Sequence, residues 1–175
     1  PVLQADTFTE ASPDGSPEVM RKPFGLMFAA LDDLHPHEVY VATGASPRYA
    51  LWGELMSTRA RQRGAAGAVL DGYSRDTRGI LEMGFPTFSH GRHAQDQGVR
   101  GKVIDFRVPV EVAGVRVRPG DIVFGDLDGV CIVPREAERE IIQAAWEKAN
   151  GEKLVQRAME GGMSASEAFA KYGIM

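Results

Sequence analysis

The sequence predicts an α/β fold in which a mixed sheet is flanked by helices, and three observations carry the prediction. The middle third alternates short apolar runs with stretches of helical spacing, the pattern of a β-α-β unit and a parallel sheet. From Val103 the helical spacing gives way to short β-branched runs separated by glycine, proline and aspartate, the pattern of an antiparallel meander. After Pro134 apolar residues again recur every three to four positions, so the chain closes in helices.

Taken in order, Ala5 to Thr9 is a short β-type stretch, and Ser12-Pro13-Asp14-Gly15-Ser16-Pro17 is a loop rich in turn formers. Phe24 to Leu34 places Phe24, Met27, Phe28 and Leu31 at helical spacing. Glu38 to Thr43 alternates as a strand, Ala50 to Arg63 reads as a helix, and the apolar run Ala66 to Asp71 completes the unit. A short helix over Thr77 to Met83 and a strand over Phe85 to Ser89 follow. The meander strands are Val103 to Arg107, Val110 to Ala113, Val115 to Arg118, Ile122 to Phe124 and Val130 to Val133. Glu136 to Lys148 is a helix with Ile141, Ile142, Ala145 and Trp146 on one face, and a second runs through Glu152, Val155 and Met159. Ser164, with Glu167 three residues on, caps a last helix by a capping box.

At 175 residues and 43% apolar composition the chain fits one domain with its own core. A formal charge of −4 and a pI near 5.6 argue against a nucleic-acid binder. Arg59, Arg61 and Arg63 form a local basic cluster that suits a helix C-terminus, with Gly64 in the capping place. The single cysteine, Cys131, lies in an apolar strand and reads as a buried packing residue. With no leader and no run of eighteen apolar residues, a cytoplasmic protein without membrane contact is expected.

The most informative pattern is Arg75-Asp76 at the end of an apolar run, twenty residues after Gly53-Glu54-Leu55-Met56. An aspartate offers hard oxygen to Mg²⁺ or Mn²⁺, an arginine forks onto a carboxylate or enolate, and a glycine-led helix start presents free amides to an anion. Together they suit a 2-oxo acid. Arg-Asp is also a common exposed turn pair, and an interior glycine at position 53, costing about 1 kcal/mol against alanine, also fits close packing. Position raises the functional reading, because ligands gather at the carboxyl ends of parallel strands and both segments follow predicted strands.

His90 and His93 lack a further ligand at zinc spacing and read as solvated loop residues. Asp126 and Asp128 fit a turn between strands.

Four segments together, Ala50 to Met56 (ALWGELM), Gly64 to Asp76 (GAAGAVLDGYSRD), Gly84-Phe85-Pro86 and Gly125 to Pro134 (GDLDGVCIVP), resemble the RraA-like family over about residues 5 to 175. That family includes class II, metal-dependent pyruvate aldolases that cleave 4-hydroxy-4-methyl-2-oxoglutarate and 4-carboxy-4-hydroxy-2-oxoadipate. The resemblance implies a swivelling β/β/α fold over a single domain, residues 1–175, assembled as a homotrimer or homohexamer with sites between subunits. Intact relatives have a further helical segment ahead of Ala5, which this chain is expected to lack.

Carried over residue by residue, the resemblance implies that the amides of Gly53, Glu54, Leu55 and Met56 hold the pyruvyl carboxylate and that Arg75 contacts substrate oxygens. Asp76 would bind the divalent metal, and Glu54 would orient the water that moves a proton at the pyruvate methyl carbon, where the family's aldolases have an aspartate. A glutamate from a neighbouring subunit reaches the metal's water shell in those aldolases. Glu152 is the nearest candidate here, and a solvated helix face is its alternative role.

The implied activity is a lyase releasing pyruvate from a 4-hydroxy-2-oxo acid, with oxaloacetate decarboxylation sharing the same enolate. The alternative is a non-catalytic, ring-shaped regulator that binds a ribonuclease; in such regulators the position after the arginine is not acidic, whereas here it is Asp76. A quinone methyltransferase, a third label attached to the family, is disfavoured because no glycine-rich loop follows an early strand.

Overall fold

A computed structural model of the protein describes residues 2–6 and 17–174. Its first strand, β1 (Val2–Asp6), takes up Ala5 and Asp6 of the expected stretch; Thr7 to Thr9, like Ser12 to Ser16, lie outside the described residues. Pro17 opens a short helix, α1 (Pro17–Arg21), at a position where its missing N–H has no role.

The helix expected from Phe24 is shorter, α2 (Met27–Asp32). The cause is backbone competition: the Val103 amide donates to the Phe24 carbonyl at 3.2 Å, and the Leu26 amide donates to the Val103 carbonyl at 2.8 Å. Phe24 and Gly25 carry φ of 108° and 61°, and a Cβ at Gly25 would stand 2.1 Å from the Val103 carbonyl oxygen. This segment therefore docks on a strand before it can turn into a helix.

Next come β2 (Val39–Thr43), β3 (Ala50–Trp52), α3 (Glu54–Gln62), β4 (Gly67–Leu70), β5 (Tyr73–Ser74) and α4 (Thr77–Met83). Then follow β6 (Thr87–Phe88), β7 (Gly91–Arg92), β8 (Gly101–Phe106), β9 (Val110–Val112), β10 (Val115–Val117), β11 (Ile122–Asp126) and β12 (Gly129–Val133).

Ala50, Leu51 and Trp52, expected as the first turn of a helix, form β3 instead. Each is at most 2% exposed, and the strand pairs in parallel with β5 through Ala50–Tyr73 and Trp52–Ser74. Burial on both faces suits a short parallel strand and not an amphipathic helix, whose outer side must meet water.

The larger sheet has five strands in the order β6-β4-β2-β1-β8. β6, β4, β2 and β1 run parallel, and β8 joins β1 antiparallel, so the sheet is mixed. β3, β5 and β7 form a separate three-stranded parallel sheet in the order β3-β5-β7. The expected meander is divided, because β8 is drawn to β1 while β9 and β10 form an antiparallel hairpin and β11 pairs with β12.

Alternation along β2 and β4 sets the cores. Tyr40, Ala42, Ala68 and Leu70 join α2, α3, Trp52 and Phe85 on one side; Val41 and Val69 meet Val110 and Val117 on the other. Cys131 is a correction. In β12 the side chains of Val130 and Ile132 face the second cluster, so Cys131 between them is exposed and not buried.

α3 ends as its arginines suggest. The Ala65 amide donates to the Ala60 carbonyl and that of Gly64, at φ 82°, to the Arg61 carbonyl, the two bonds of a Schellman motif.

The chain divides into two compact units, residues 1–132 and 133–175. In the second, a single helix, α5 (Glu138–Glu160), replaces the two expected. Gly151 does not break it; a Cβ there would stand 2.3 Å from Ile174 Cδ1, so close packing accounts for the glycine. α6 (Ala165–Tyr172) has the expected capping box of Ser164 and Glu167. Among the described residues no helix is long and apolar enough to cross a membrane.

Arg107, just after β8, ties this edge of the sheet to the turn before β2. Its Nε donates to Asp33 Oδ2 at 2.6 Å, Nη2 to Glu38 Oε2 at 2.8 Å, and Nη1 to the other Glu38 oxygen. The guanidinium holds the Glu38 carboxyl at about 2, below its ordinary 4.5. A depressed carboxyl stabilises the fold above its unfolded value and loses that contribution as pH falls from about 4.5 toward 2. Glu38 is about a third exposed, so screening limits the effect to about 1 kcal/mol. Urea midpoints at pH 7 and pH 3 should therefore fall further in the wild type than in Arg107→Met, where the pairing is gone at both pH values.

Candidate active site at the start of α3

Two chain crossings build the site. β3 leads through Gly53 into α3, and β5 leads through Arg75 and Asp76 into α4. They are stitched together where the Arg75 amide donates to the Trp52 carbonyl at 2.9 Å. Below, Trp52 Nε1 donates to Ser57 Oγ at 2.6 Å, and Ser57 Oγ donates to the Gly53 carbonyl at 3.1 Å. Trp52 packs against Tyr40 and Phe85, ring centroids 4.8 and 6.2 Å away, so the start of α3 is anchored to the core. Burial pushes the Tyr40 hydroxyl far above its ordinary pKa, keeping it neutral in that core.

Gly53 is not interior to a helix. It is the N-cap of α3, in extended conformation, with no side chain to close the first turn. Asp76 performs that task from the other crossing: its Oδ2 accepts from the Glu54 amide at 3.2 Å, while its Oδ1 accepts from Arg75 Nη1 at 3.2 Å. A Cβ on residue 53 would stand 2.7 Å from Asp76 Oδ2 and 3.4 Å from Arg75 Nε, so only glycine leaves this passage open. Asp76 itself adopts the left-handed region, φ 56°, which aspartate tolerates better than most residues.

The arrangement brings together five of the residues singled out in the sequence: Gly53, Leu55 and Met56 at the helix start, with Arg75 and Asp76 beside them. The amides of Leu55 and Met56 lie in the first turn of α3, where no intrahelical acceptor exists. With the helix dipole and the Arg75 guanidinium they form a place for an anion. Arg75 and Asp76 remain about one-third exposed, so a small solute can reach both.

Glu54, the sixth, points its carboxylate at α4. A Cβ on Gly79 would stand 2.3 Å from Glu54 Cδ and Oε2 and 2.7 Å from Oε1. The carboxylate thus occupies the space that any other side chain at 79 would take. Sequence reasoning missed Gly79; its one signal was a glycine inside the predicted helix Thr77–Met83.

The other candidates have partners of their own. Glu152 lies in the second unit, on α5, 3.6 Å from Lys148 Nζ and facing solvent. His90 pairs with Asp71 at 3.3 Å, and the rings of His90 and His93 flank Tyr73. Asp126 accepts from the Asp128 amide at 2.8 Å, a turn as expected. Among the described residues no group of three or more His, Cys, Asp or Glu is gathered as a metal cage.

An open cavity of about 440 Å³ adjoins the helix start, with Gly53 and Arg75 among its lining and residues of α2 and α3 in its walls. Its side chains were not predicted as a group, because residues 24–31 and 55–59 come together only through tertiary packing.

A family model described as "RraA-like: Aldolase/RraA" matches residues 16–132. A protein of Halalkalibacterium halodurans named "Putative 4-hydroxy-4-methyl-2-oxoglutarate aldolase" is 32% identical over 142 residues, 80% of this chain and 67% of that protein. Three further curated relatives are matched over 54%, 20% and 58% of their length, so the chain spans about half, or less, of each. A solved structure of an uncharacterised protein from Pseudomonas syringae pv. tomato superposes with a TM-score of 0.81 at 22% identity, over 98% of this chain and 75% of that one, and shows the shared fold. Streptomyces coelicolor RraAS2, titled an unusual member of the RNase ES inhibitor RraA protein family, superposes with a TM-score of 0.72 at 25% identity, over 90% of this chain and 76% of that one.

Gly53→Ala should break the Asp76–Glu54 contact and weaken the cap, lowering stability by about 1 kcal/mol in urea unfolding. The Glu54 amide, having lost its acceptor, should exchange its hydrogen with solvent faster than in the wild type.

Proposed function

Because the chain belongs to the RraA-like (Aldolase/RraA) family, we propose that it is a divalent-metal-dependent pyruvate aldolase, cleaving a 4-hydroxy-2-oxo acid to pyruvate and a second oxo compound. The observation that carries this reading is the meeting of an aspartate, an arginine and two free amides at the start of α3, across a glycine that has no Cβ to fill the gap.

The donor set suits Mg²⁺ or Mn²⁺. Such ions keep much of their water and commonly take one or two carboxylates plus oxygens of the substrate, which is what Asp76 beside an open anion site offers. When bound there, the cation supplies Lewis-acid polarisation of the 2-oxo acid's carboxylate and keto oxygens. The amides of Leu55 and Met56 hold the carboxylate, with Gly53 giving it room to approach; the Glu54 amide steadies Asp76. As the C3–C4 bond breaks, its electron pair moves toward the keto oxygen, and the Arg75 guanidinium faces the charge that develops. The C4 hydroxyl gives up its proton to solvent water and becomes the carbonyl of the second product. Glu54, through a water, delivers a proton to C3 and so completes pyruvate. Loss of CO₂ from oxaloacetate passes through the same charge distribution, so decarboxylation is a companion activity.

We further propose a homo-oligomer, trimer or hexamer, with Glu152 of a neighbouring subunit as a candidate near the metal's water. A second reading, a non-catalytic protein-binding regulator, is supported by the likeness to RraAS2. Asp76 separates the two, since a regulator has no use for an acid at the helix start.

Pyruvate release should be assayed from 4-hydroxy-4-methyl-2-oxoglutarate, 4-carboxy-4-hydroxy-2-oxoadipate and oxaloacetate, with and without Mg²⁺. Asp76→Ala should lower kcat/KM by about 100-fold or more, about 2.7 kcal/mol of barrier. Release that ignores the metal, or full activity in the variant, sinks the lyase. Gly79→Ala is subtler. Alanine suits a helix better, so Tm should hold or rise, yet its methyl must displace the Glu54 carboxylate and kcat should drop about tenfold with KM little changed. Adding Glu54→Asp, which shortens the side chain, should restore part of the loss; a drop in kcat with no such rescue would mean Gly79 does not act through Glu54.

A further inference from the structure

The lyase reading leaves open what lies beyond the pyruvyl unit, and the cavity beside Gly53 and Arg75 bears on it. Resting on that reading, we infer that the substrate is a 4-hydroxy-2-oxo acid whose C4 substituent is apolar, aliphatic or aromatic, and lodges between α2 and α3.

The walls are mostly hydrocarbon: Phe24, Met27, Phe28 and Leu31 from the α2 side, Leu55 and Met56 from α3. Phe24 and Phe28 meet edge to face at 5.5 Å and give the mouth an aromatic wall. Phe28 is 58% exposed and Leu55 82% exposed, so two large apolar side chains stand in water at the opening. A volume of about 440 Å³ far exceeds what pyruvate fills and lies in the range of small-molecule pockets.

The charged groups in the wall are arranged against a second carboxylate. Arg59, the other cation of the lining, has its fork already taken: Nε and Nη2 lie 2.7 and 2.6 Å from Asp32 Oδ1, and Nη1 donates to Gln62 at 2.6 Å. Both acids of the wall are engaged as well: Asp32 by Arg59, and Asp96 by Arg100 Nη1 at 3.4 Å and by the Gly98 amide at 3.1 Å. Arg75 is turned to Asp76 and the helix start, where the pyruvyl carboxylate sits. A terminal carboxylate would therefore find Arg59 already engaged by Asp32 and Gln62, whereas a hydrocarbon group would cover side chains otherwise exposed to water.

The test compares, at saturating Mg²⁺, pyruvate release from 4-hydroxy-2-oxo acids carrying phenyl or isobutyl at C4 with release from 4-hydroxy-4-methyl-2-oxoglutarate. In parallel, calorimetric titration compares 4-phenyl-2-oxobutanoate with 2-oxoglutarate, which lack the 4-hydroxyl and cannot be cleaved. Apolar substrates should show kcat/KM at least about tenfold higher, with affinities in the same order, and Phe28→Arg should shift both ratios toward the dicarboxylate by about tenfold. Turnover with the dicarboxylate preferred, or ratios unmoved by Phe28→Arg, overturns the inference and leaves the lyase standing. If no acid is cleaved but 4-phenyl-2-oxobutanoate still binds tighter, the lyase falls, and with it the substrate class, while the apolar pocket stands. If neither acid binds and Phe28→Arg instead dissociates an assembly, the cavity belongs to a second copy of the chain and the inference is wrong.

Discussion

The contact from Asp76 Oδ2 to the Glu54 amide, 3.2 Å across a residue with no side chain, is the constraint on which the site depends. It joins the end of β5 to the start of α3, so two loops that are separate in sequence share one geometry. It also caps a helix from outside that helix, and the next two amides lie in the first turn, where their own helix offers no acceptor. The capping group is an acid flanked by Arg75, and both side chains remain about one-third exposed. A short, partly exposed ion pair of this kind adds little stability, and its value here is geometric.

What holds that geometry is the core beneath it. Trp52 is 1% exposed, stacks on Phe85, and uses its ring nitrogen on Ser57, which in turn binds the Gly53 carbonyl. The helix start is thus fixed by a buried polar chain whose groups are satisfied, which is how rigid support for a site is built from few residues. Glu54 is placed differently. It is an exposed side chain resting in a space left by Gly79, so its position depends on what residue 79 lacks.

Much of this was legible in the sequence. Periodicity located β2, β4, α4 and the hairpin strands to within a residue or two, the capping box located the start of α6, and the Gly53–Met56 and Arg75–Asp76 segments are brought together in space. The failures share a cause. Ala50, Leu51 and Trp52 were assigned to a helix because three apolar residues beside a helical stretch carry no period of their own, and burial from both sides is a tertiary property. Phe24 lost its helical place to hydrogen bonds with Val103, nearly eighty residues away. Cys131 is exposed because alternation along β12, not the apolarity of its neighbours, decides which side chains turn inward. Gly79 and Gly151 drew no reading of their own, because each answers to a side chain, Glu54 or Ile174, that no local pattern could supply.

Asp76 sits at φ 56°, a backbone state open mainly to glycine, asparagine and aspartate. Asparagine or glycine would preserve the turn into α4 while erasing the negative charge; most other replacements would disturb turn and charge at once. Within a lineage, the chemistry proposed for this position can consequently be switched off by one mild replacement that leaves the architecture whole. Silent copies of the scaffold are then close neighbours of active ones, and a fold likeness by itself says little about which of the two a given chain is.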